Sequence, residues 1–204
     1  MPVLTTDSPE VAYLMDRDWR LRQLIKTVGN LEYEVTGTPY SHVAHSIIEQ
    51  MLSMKVGQVI EARLSEACGG CICQDSILSL PIEDIKACGI SARKAQTLID
   101  LAREMPEEAL AKLADLPDEE VRATLTRIRG IGKWTADMYL IFYLGRPDVL
   151  PVEDGAIRQV FLWLYGAPIT DVNVRKVVCS LWKPYSSTAV RYMYRALNRG
   201  LIAG

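Results

Sequence analysis

Apolar residues recur along most of this chain every three to four positions, which is the spacing of one face of an α-helix. The segment "SHVAHSIIEQMLSMKVGQVIEARL" places Val43, Ile47 and Ile60 on recurring faces, with Met51 or Met54 between them. The segments "ARKAQTLIDLARE" and "EEVRATLTRIR" repeat the pattern. Because proline and glycine interrupt it often, the sequence predicts about nine or ten short helices and almost no strand. No repeat or linker divides the chain, so an all-α protein of one or two lobes is expected.

Composition narrows the classes of protein that this chain can represent. Its 204 residues are 49% apolar, which is enough for one good-sized core. The net charge of −2 argues against coating nucleic acid by bulk attraction, although a local basic face remains compatible with it. The longest apolar run, "MYLIFYLG", is too short to span a bilayer, and no signal-peptide pattern opens the chain. We therefore expect an intracellular protein with no membrane partner, in the cytoplasm or nucleoid of a prokaryote or the nucleus of a eukaryote.

Cysteine and histidine offer two candidate metal sites. Cys68, Cys71 and Cys73 form a C-x2-C-x-C cluster, and Cys88 could add a fourth thiolate for zinc or an iron–sulfur cluster. The spacing matches no common site, so ordinary loop and core cysteines are the preferred interpretation. His42 and His45 could share a helix face, but neither belongs to a recognisable acid–base constellation. No metal ligand is assigned.

The stretch "RIRGIGKWTADM" breaks a helix with two glycines and surrounds the break with basic residues. Gly130 and Gly132 permit close approach of another molecule, and the first N–H groups of the second helix would attract an anion. Arg127, Arg129 and Lys133 add positive charge. The alternative is a simple glycine-capped corner with its basic residues in solvent.

The stretch "IRGIGKWTADMYLIF" resembles the hairpin of the helix-hairpin-helix (HhH-GPD) DNA glycosylases, and "GRPDVLPVEDGAIRQ" resembles the Gly/Pro-rich segment and aspartate that follow it. The branch of 3-methyladenine DNA glycosylase II and the alkylbase glycosylases is the most similar. Three further segments are similar to this family in the same order, so the resemblance covers nearly the whole chain: "YSHVAHSIIEQMLSMKVGQVI", "GISARKAQTLIDLA" and "WKPYSSTAVRYMYR".

The resemblance implies a particular architecture. It predicts two helical lobes, with a helix-hairpin-helix motif and an active-site cleft between the lobes. Residues from about 41 to 150 would carry the hairpin, and residues 1–40 with 151–204 would form the second lobe. The additional N-terminal β domain of larger bacterial members is not expected in these 204 residues.

Asp154 is the candidate catalytic residue. An aspartate at a helix start is usually only an N-cap, and that position also favours its charged form. A fixed anion stabilises the oxocarbenium-like charge that develops on the sugar when an N-glycosidic bond breaks, and it can orient or deprotonate water. By resemblance Asp154 takes this role, and Glu153 is interpreted as a capping or solvent-facing residue.

Trp134 occupies the position where lyase members of the family carry a nucleophilic lysine. Lys133 precedes it by one residue, and a turn of about 100 degrees on a helix should point Lys133 away from the pocket. The resemblance therefore implies hydrolysis without AP-lyase activity. Trp134 would stack on a cationic alkylated base, and Met138 and Tyr194 are further candidates for the base pocket.

The remaining implied contacts concern DNA. Gln50 and Met51 match the segment that fills the space of a flipped base. Backbone amides near Gly130, Gly132 and Lys133, with the charges of Arg127 and Arg129, would bind phosphate. The resemblance allows a monovalent cation, Na⁺ or K⁺, at the hairpin, requires no other cofactor, and implies that a monomer binds duplex DNA carrying damaged bases.

The resulting hypothesis is a monofunctional glycosylase that excises 3-methyladenine and 7-methylguanine type bases at the start of base excision repair. One alternative is a glycosylase for deaminated or oxidised bases. The other is a hairpin protein that only binds DNA, with Asp154 as a helix cap.

Overall fold

The computed structural model describes residues 3–33 and 35–202, and it describes Val177 by its backbone alone. These residues form thirteen α-helices, a 3₁₀ turn, a π-helical segment and one small sheet. The chain divides into two compact units. We call Thr36–Gly145 the hairpin unit, and Met1–Val35 with Arg146–Gly204 the split unit. The all-α prediction is confirmed, although the helices are shorter and more numerous than their periodicity indicated.

The hairpin unit is built around the third helix of the chain, which packs on four other α-helices of the unit. Its helices are α3 (Pro39–Glu49), α4 (Met54–Ala67), α5 (Gln74–Ser79), α6 (Ile82–Ala87), α7 (Ala92–Glu104), α8 (Glu107–Lys112), α9 (Asp118–Leu125) and α10 (Lys133–Met138). The 3₁₀ turn covers Leu113–Asp115, and the π-helical segment Tyr139–Tyr143 continues α10. Tyr40, Ile47 and Tyr139 are among its fully buried side chains.

The split unit combines both ends of the chain. Its helices are α1 (Pro9–Arg17), α2 (Trp19–Val28), α11 (Gly155–Tyr165), α12 (Val172–Trp182) and α13 (Ser186–Asn198). The strands β1 (Val3–Leu4) and β2 (Leu31–Glu32) pair antiparallel, with Val3 opposite Glu32 and Leu4 opposite Leu31. Helix α13 packs against α2 and α11. The largest buried side chains here are Trp182, Tyr192 and Phe161.

A buried carboxylate joins three helices of the split unit. Asp18 caps α2 by accepting hydrogen bonds from the backbone N–H groups of Arg20 and Leu21. Its second oxygen accepts from the Tyr165 hydroxyl at 2.5 Å and from Trp182 Nε1 at 3.0 Å. Buried carboxylates require such partners, and these bonds tie α11 and α12 to the start of α2.

The helical face predicted around residues 43–60 is only partly correct. Val43, Ile47 and Ile60 are buried, but Met51 and Met54 are 99% and 41% exposed. The prediction was wrong there because α3 ends at Glu49 and the chain turns before α4 begins at Met54. None of the helices within residues 3–33 and 35–202 has the length and apolar character that crossing a membrane requires.

Candidate functional site

The hairpin turn, residues 126–132, connects α9 to α10. Gly130 has a φ of +99°, a backbone region that other residues rarely adopt. A Cβ atom at this position would lie 2.1 Å from the Thr97 Oγ1 atom. The Thr97 hydroxyl has two carbonyl acceptors within hydrogen-bonding distance, Arg93 on its own helix at 3.0 Å and Arg129 on the hairpin turn at 3.1 Å. The fold therefore needs glycine at position 130 for internal reasons.

Gly132 differs from Gly130. It is the N-cap of α10, with extended backbone angles of φ −103° and ψ 178° that any residue can adopt. A Cβ atom there would have nothing within 4 Å, so packing does not call for glycine. The sequence pattern predicts the same role for both glycines, but their surroundings in the structure differ. Only at Gly132 does the missing side chain leave an open surface beside the first N–H groups of a helix.

The basic residues at the hairpin also divide into two groups. Arg127 and Arg129 are exposed on the turn. The Lys133 ammonium lies 2.6 Å from Oδ2 of Asp137, one turn further along α10. Arg122 Nε lies 2.6 Å from Oδ1 of the same carboxylate, which is only 1% exposed. The Lys133 side chain thus lies along its own helix. Its ammonium and the Arg122 guanidinium contact the same buried Asp137 carboxylate, and the Arg122–Asp137 pair links α9 to α10.

The chain makes a type II turn at residues 49–52, immediately after α3. The N–H of Leu52 donates to the carbonyl oxygen of Glu49 at 3.0 Å. Gln50 has φ −46° and ψ 125°, and Met51 follows with φ +58°. Position i+2 of this turn type favours glycine, so a methionine there is strained, and its side chain is 99% exposed. The turn projects a flexible apolar side chain into solvent.

Gln50 and Met51, predicted together as the DNA wedge, have different surroundings. The Gln50 side-chain amide donates to the carbonyl oxygen of Gly130 at 3.1 Å and to the Thr135 hydroxyl at 3.0 Å. Gln50 therefore links the 49–52 turn to the hairpin turn, whereas Met51 is directed outwards.

Asp154 is the N-cap of α11 and is only 8% exposed. Its Oδ1 accepts a hydrogen bond from the N–H of Ile157 at 2.7 Å. The N–H of Asp154 donates to the carbonyl oxygen of Pro151 at 3.0 Å, so the proline-containing turn before the helix is also fixed. Glu153 beside it is exposed. Helix capping and the preceding turn together hold one carboxylate in a defined orientation.

The predicted pocket residues differ in exposure. Trp134 is half-buried in the first turn of α10, whereas Met138 at the end of that helix is buried. Tyr194 is half-buried on α13. Trp134 and Met138 belong to the hairpin unit, and Tyr194 belongs to the split unit together with Asp154.

Two α7 residues hold these turns and were not predicted from the sequence. Lys94 Nζ donates to the carbonyl oxygens of Ile48 and Gln50, each at 2.7 Å, and Thr97 contacts the hairpin turn as described. Their spacing of three positions, which places both on one face of α7, was the available signal.

The histidines have separate surroundings. His45 contacts Glu61 through Nδ1 at 2.8 Å and Glu49 through Nε2 at 3.2 Å. Burial disfavours its charged form, but the hydrogen bonds to both glutamates outweigh burial and raise the pKa of His45 to about 10. His42 Nε2 lies 2.6 Å from the Thr36 carbonyl oxygen, and burial lowers the pKa of His42.

The cysteines in the described part of the chain are free thiols. Within residues 3–33 and 35–202, no three cysteine, histidine or acidic side chains are grouped so as to hold a metal ion.

The glycine turn between α9 and α10, followed by a proline turn and a buried N-cap aspartate, defines a class of repair protein. Residues 44–184 match the family described as "HhH-GPD superfamily base excision DNA repair protein", and the chain belongs to this superfamily.

The chain is 30% identical over 192 residues to DNA-3-methyladenine glycosylase 1 of Schizosaccharomyces pombe, covering 89% of this chain and 82% of that protein. The solved structure of a DNA-3-methyladenine glycosidase from Bacillus halodurans superposes with a TM-score of 0.79 at 30% identity, covering 98% of this chain and 94% of the other. The S. pombe glycosylase Mag1 in complex with abasic DNA gives a TM-score of 0.81 at 27% identity, with 94% and 97% covered.

Proposed function

We propose that this protein is a monofunctional DNA glycosylase that releases alkylated bases of the 3-methyladenine and 7-methylguanine type from duplex DNA. The observation that carries the proposal is the buried Asp154 carboxylate, which the first turn of α11 holds in place. The similarity to 3-methyladenine glycosylases across most of the chain supports the substrate class. A protein that only binds DNA would keep Asp154 as a helix cap alone, so measurement of base release separates the two interpretations.

DNA would bind through the hairpin. The open surface at Gly132 lets a phosphate approach the first N–H groups of α10, where the helix dipole favours an anion. The exposed Arg127 and Arg129 contribute charge, whereas Lys133 contributes its backbone N–H because its ammonium is held by Asp137. These contacts are to the DNA backbone, so binding would be salt-sensitive and largely independent of sequence.

A monovalent cation, Na⁺ or K⁺, would bind carbonyl oxygens of the hairpin turn. The Gly130 carbonyl accepts one hydrogen bond from Gln50, and the Arg129 carbonyl accepts at most one from Thr97, whose hydroxyl also reaches the Arg93 carbonyl. A carbonyl oxygen has two lone pairs, so one such bond leaves capacity for a cation. The proposed hydrolysis uses water and no organic cofactor.

The target base must leave the duplex before it can react. Met51 is the proposed wedge, because it is an adaptable apolar side chain that is almost fully exposed on a turn. Trp134 would stack on the flipped base. An alkylated purine that carries positive charge gains a cation–π attraction from the indole of about 0.5–2 kcal/mol.

Asp154 would act on the sugar. The C1′–N bond breaks, the electron pair leaves with the cationic base, and the base becomes neutral. The carboxylate stabilises the positive charge developing on the sugar, and it accepts a proton from the water that bonds to C1′. The products are a free base and an abasic site.

The same site residues argue against strand cleavage. A Schiff base requires a free amine that can reach C1′. Trp134 occupies the position of the lyase lysine in the family pattern, and the neighbouring Lys133 ammonium contacts Asp137 at 2.6 Å.

The test uses duplexes that each carry one lesion: 3-methyladenine, 7-methylguanine, hypoxanthine or 8-oxoguanine. We expect free methylated base, alkali-labile sites, and no protein–DNA adduct after borohydride reduction. Release of only hypoxanthine or 8-oxoguanine would support the alternative glycosylase. Binding without release from any duplex would make the protein a non-catalytic binder, and a borohydride-trapped adduct would contradict the monofunctional mechanism.

A further inference from the structure

We propose that Lys94 is a positioning residue for base flipping, holding the 49–52 turn in the conformation that presents Met51 to DNA. The inference rests on the proposed function, since it assigns Met51 to the wedge. Lys94 itself contacts neither the substrate nor the reacting atoms in this proposal.

The ammonium group of Lys94 is bound by backbone carbonyls. Its Nζ lies 2.7 Å from the oxygen of Ile48, in the last turn of α3, and 2.7 Å from the oxygen of Gln50, which follows that helix. The last carbonyls of a helix lack partners within the helix and carry partial negative charge, so a cation is favourable there. Burial lowers the pKa of Lys94, and the neighbouring Arg93 adds to this effect.

The Gln50 carbonyl is the group that decides the type of turn. Type I and type II turns differ by a flip of the peptide between their two central residues, which are Gln50 and Met51 here. The flip reverses the direction of the Gln50 carbonyl and changes the sign of φ at Met51. By binding that oxygen, the Lys94 ammonium favours the type II form, in which Met51 has its observed φ of +58°.

The type II form needs such support in this chain. Methionine at a positive φ costs about 1–2 kcal/mol relative to a right-handed conformation. Met51 makes up little of this cost by packing, because its side chain is 99% exposed. The Gln50 side chain adds a second link by donating to Gly130 and Thr135. Without Lys94, the flip to a type I turn would relieve the strain and redirect Met51.

The test compares Lys94→Met, which keeps the length of the side chain and removes its charge, with Lys94→Arg and Arg93→Met. Arg93 is exposed on the adjacent position of α7, so Arg93→Met controls for loss of positive charge. Single-turnover release of 7-methylguanine is measured from a duplex and from the same strand alone, because a single strand needs no wedge. Melting temperature is recorded for each variant.

We expect Lys94→Met to slow release from the duplex by about 10- to 100-fold and from the single strand by less than about 3-fold. Lys94→Arg should recover most of the duplex rate, and Arg93→Met should retain it. Equal losses on both substrates, or the same loss in Arg93→Met, would overturn the proposal. The single-strand rate also reports whether Lys94→Met is folded.

A second measurement tests whether Lys94 acts on base flipping through Met51. Fluorescence of 2-aminopurine opposite an abasic-site analogue should rise when wild type binds, and less when Lys94→Met binds. In a Met51→Ala background, adding Lys94→Met should cost little further duplex activity, because residues that act through one another are not additive. Additive losses would overturn the proposal. If wild type releases no methylated base but the fluorescence results hold, the proposed function fails while the role of Lys94 stands.

Discussion

The Thr97 hydroxyl occupies the space that a side chain at Gly130 would need, since a Cβ atom there would lie 2.1 Å from Thr97 Oγ1. Helix α7 therefore fits directly against the hairpin turn. At Gly132, two residues further on, a Cβ atom would meet nothing within 4 Å. Two glycines that look equivalent in the sequence have different reasons for being glycine.

Alanine substitutions should separate these reasons. Gly130→Ala should lower the free energy of unfolding by about 2–4 kcal/mol, because it adds strain at positive φ and a clash with Thr97. Gly132→Ala should change stability by less than about 1 kcal/mol yet weaken DNA binding roughly tenfold, because its methyl group would keep a phosphate from the α10 amides. Urea denaturation and fluorescence anisotropy with an abasic duplex measure the two effects. Equal effects of both variants on stability would contradict this distinction.

Met51→Gly should make the protein more stable and less active. Glycine removes the strain at positive φ, worth about 1–2 kcal/mol, but raises the entropy of the unfolded chain, so a net gain of about 0.5–1 kcal/mol is expected. Release of 7-methylguanine from a duplex should fall because the wedge is gone, while release from a single strand should change little. Val59→Gly is the control, since Val59 is exposed in the interior of α4, where glycine is destabilising. A Met51→Gly variant with unchanged duplex activity would remove Met51 from the proposed mechanism.

Trp134→Leu should reduce discrimination in favour of cationic bases. Loss of a cation–π contact of about 0.5–2 kcal/mol corresponds to a roughly 2- to 30-fold lower rate for 7-methylguanine. The rate of release of a neutral base such as hypoxanthine should fall less, provided that wild type releases this base at a measurable rate. Trp134→Phe keeps an aromatic face and should fall between wild type and Trp134→Leu. Equal losses for the two bases would indicate that Trp134 contributes packing rather than charge recognition.

His45 should stabilise the fold in a pH-dependent way. Its pKa is raised from 6.5 to about 10, so its contribution is fully present below pH 6.5 and is lost as pH rises through 10. Its side chain is 41% exposed, so solvent screening reduces the contribution to the order of 1 kcal/mol. The free energies of unfolding of wild type and His45→Asn, measured by urea denaturation, should therefore differ most near pH 6 and become equal above pH 10.

His42 provides the control of opposite sign. Because burial lowers its pKa below 6.5, its stabilising contribution is present above pH 6.5 and is lost as pH falls. The difference in the free energy of unfolding between wild type and His42→Asn should therefore become smaller as pH falls below 6.5. If both variants followed the same trend with pH, the assigned ionisation of His45 would be wrong.

Local sequence signals were sufficient for much of this fold. Gly132 marks the start of α10, where it is the N-cap, although α9 already ends at Leu125, before the helical pattern of "EEVRATLTRIR" is complete. The proline turn before Asp154 likewise predicted an N-capping carboxylate, which the structure contains. Such features depend on residues within one or two turns of each other, so the sequence displays them directly.

Contacts between distant segments could not be read in this way. Lys94 lies 44 positions from the Gln50 carbonyl that it binds, and a lysine on an amphipathic helix usually indicates only a solvated face. The positive φ of Met51 has no sequence signal, because methionine is a good helix former that is often buried. Asp137 is buried because Arg122 and Lys133 both reach it, and only the fold brings Arg122 there.

The central claim concerns Asp154, and a matched pair of helix caps tests it most directly. Asp154→Asn and Asp171→Asn both keep a capping side chain, and Asp171 caps α12 in the same unit through the N–H groups of Asn173 and Val174. We predict that Asp154→Asn slows single-turnover release of 7-methylguanine by at least about 100-fold while binding an abasic duplex as tightly as wild type, and that Asp171→Asn keeps the wild-type rate. An Asp154→Asn enzyme within tenfold of wild type, or a parallel loss in Asp171→Asn, would contradict the assignment of Asp154 as the catalytic carboxylate.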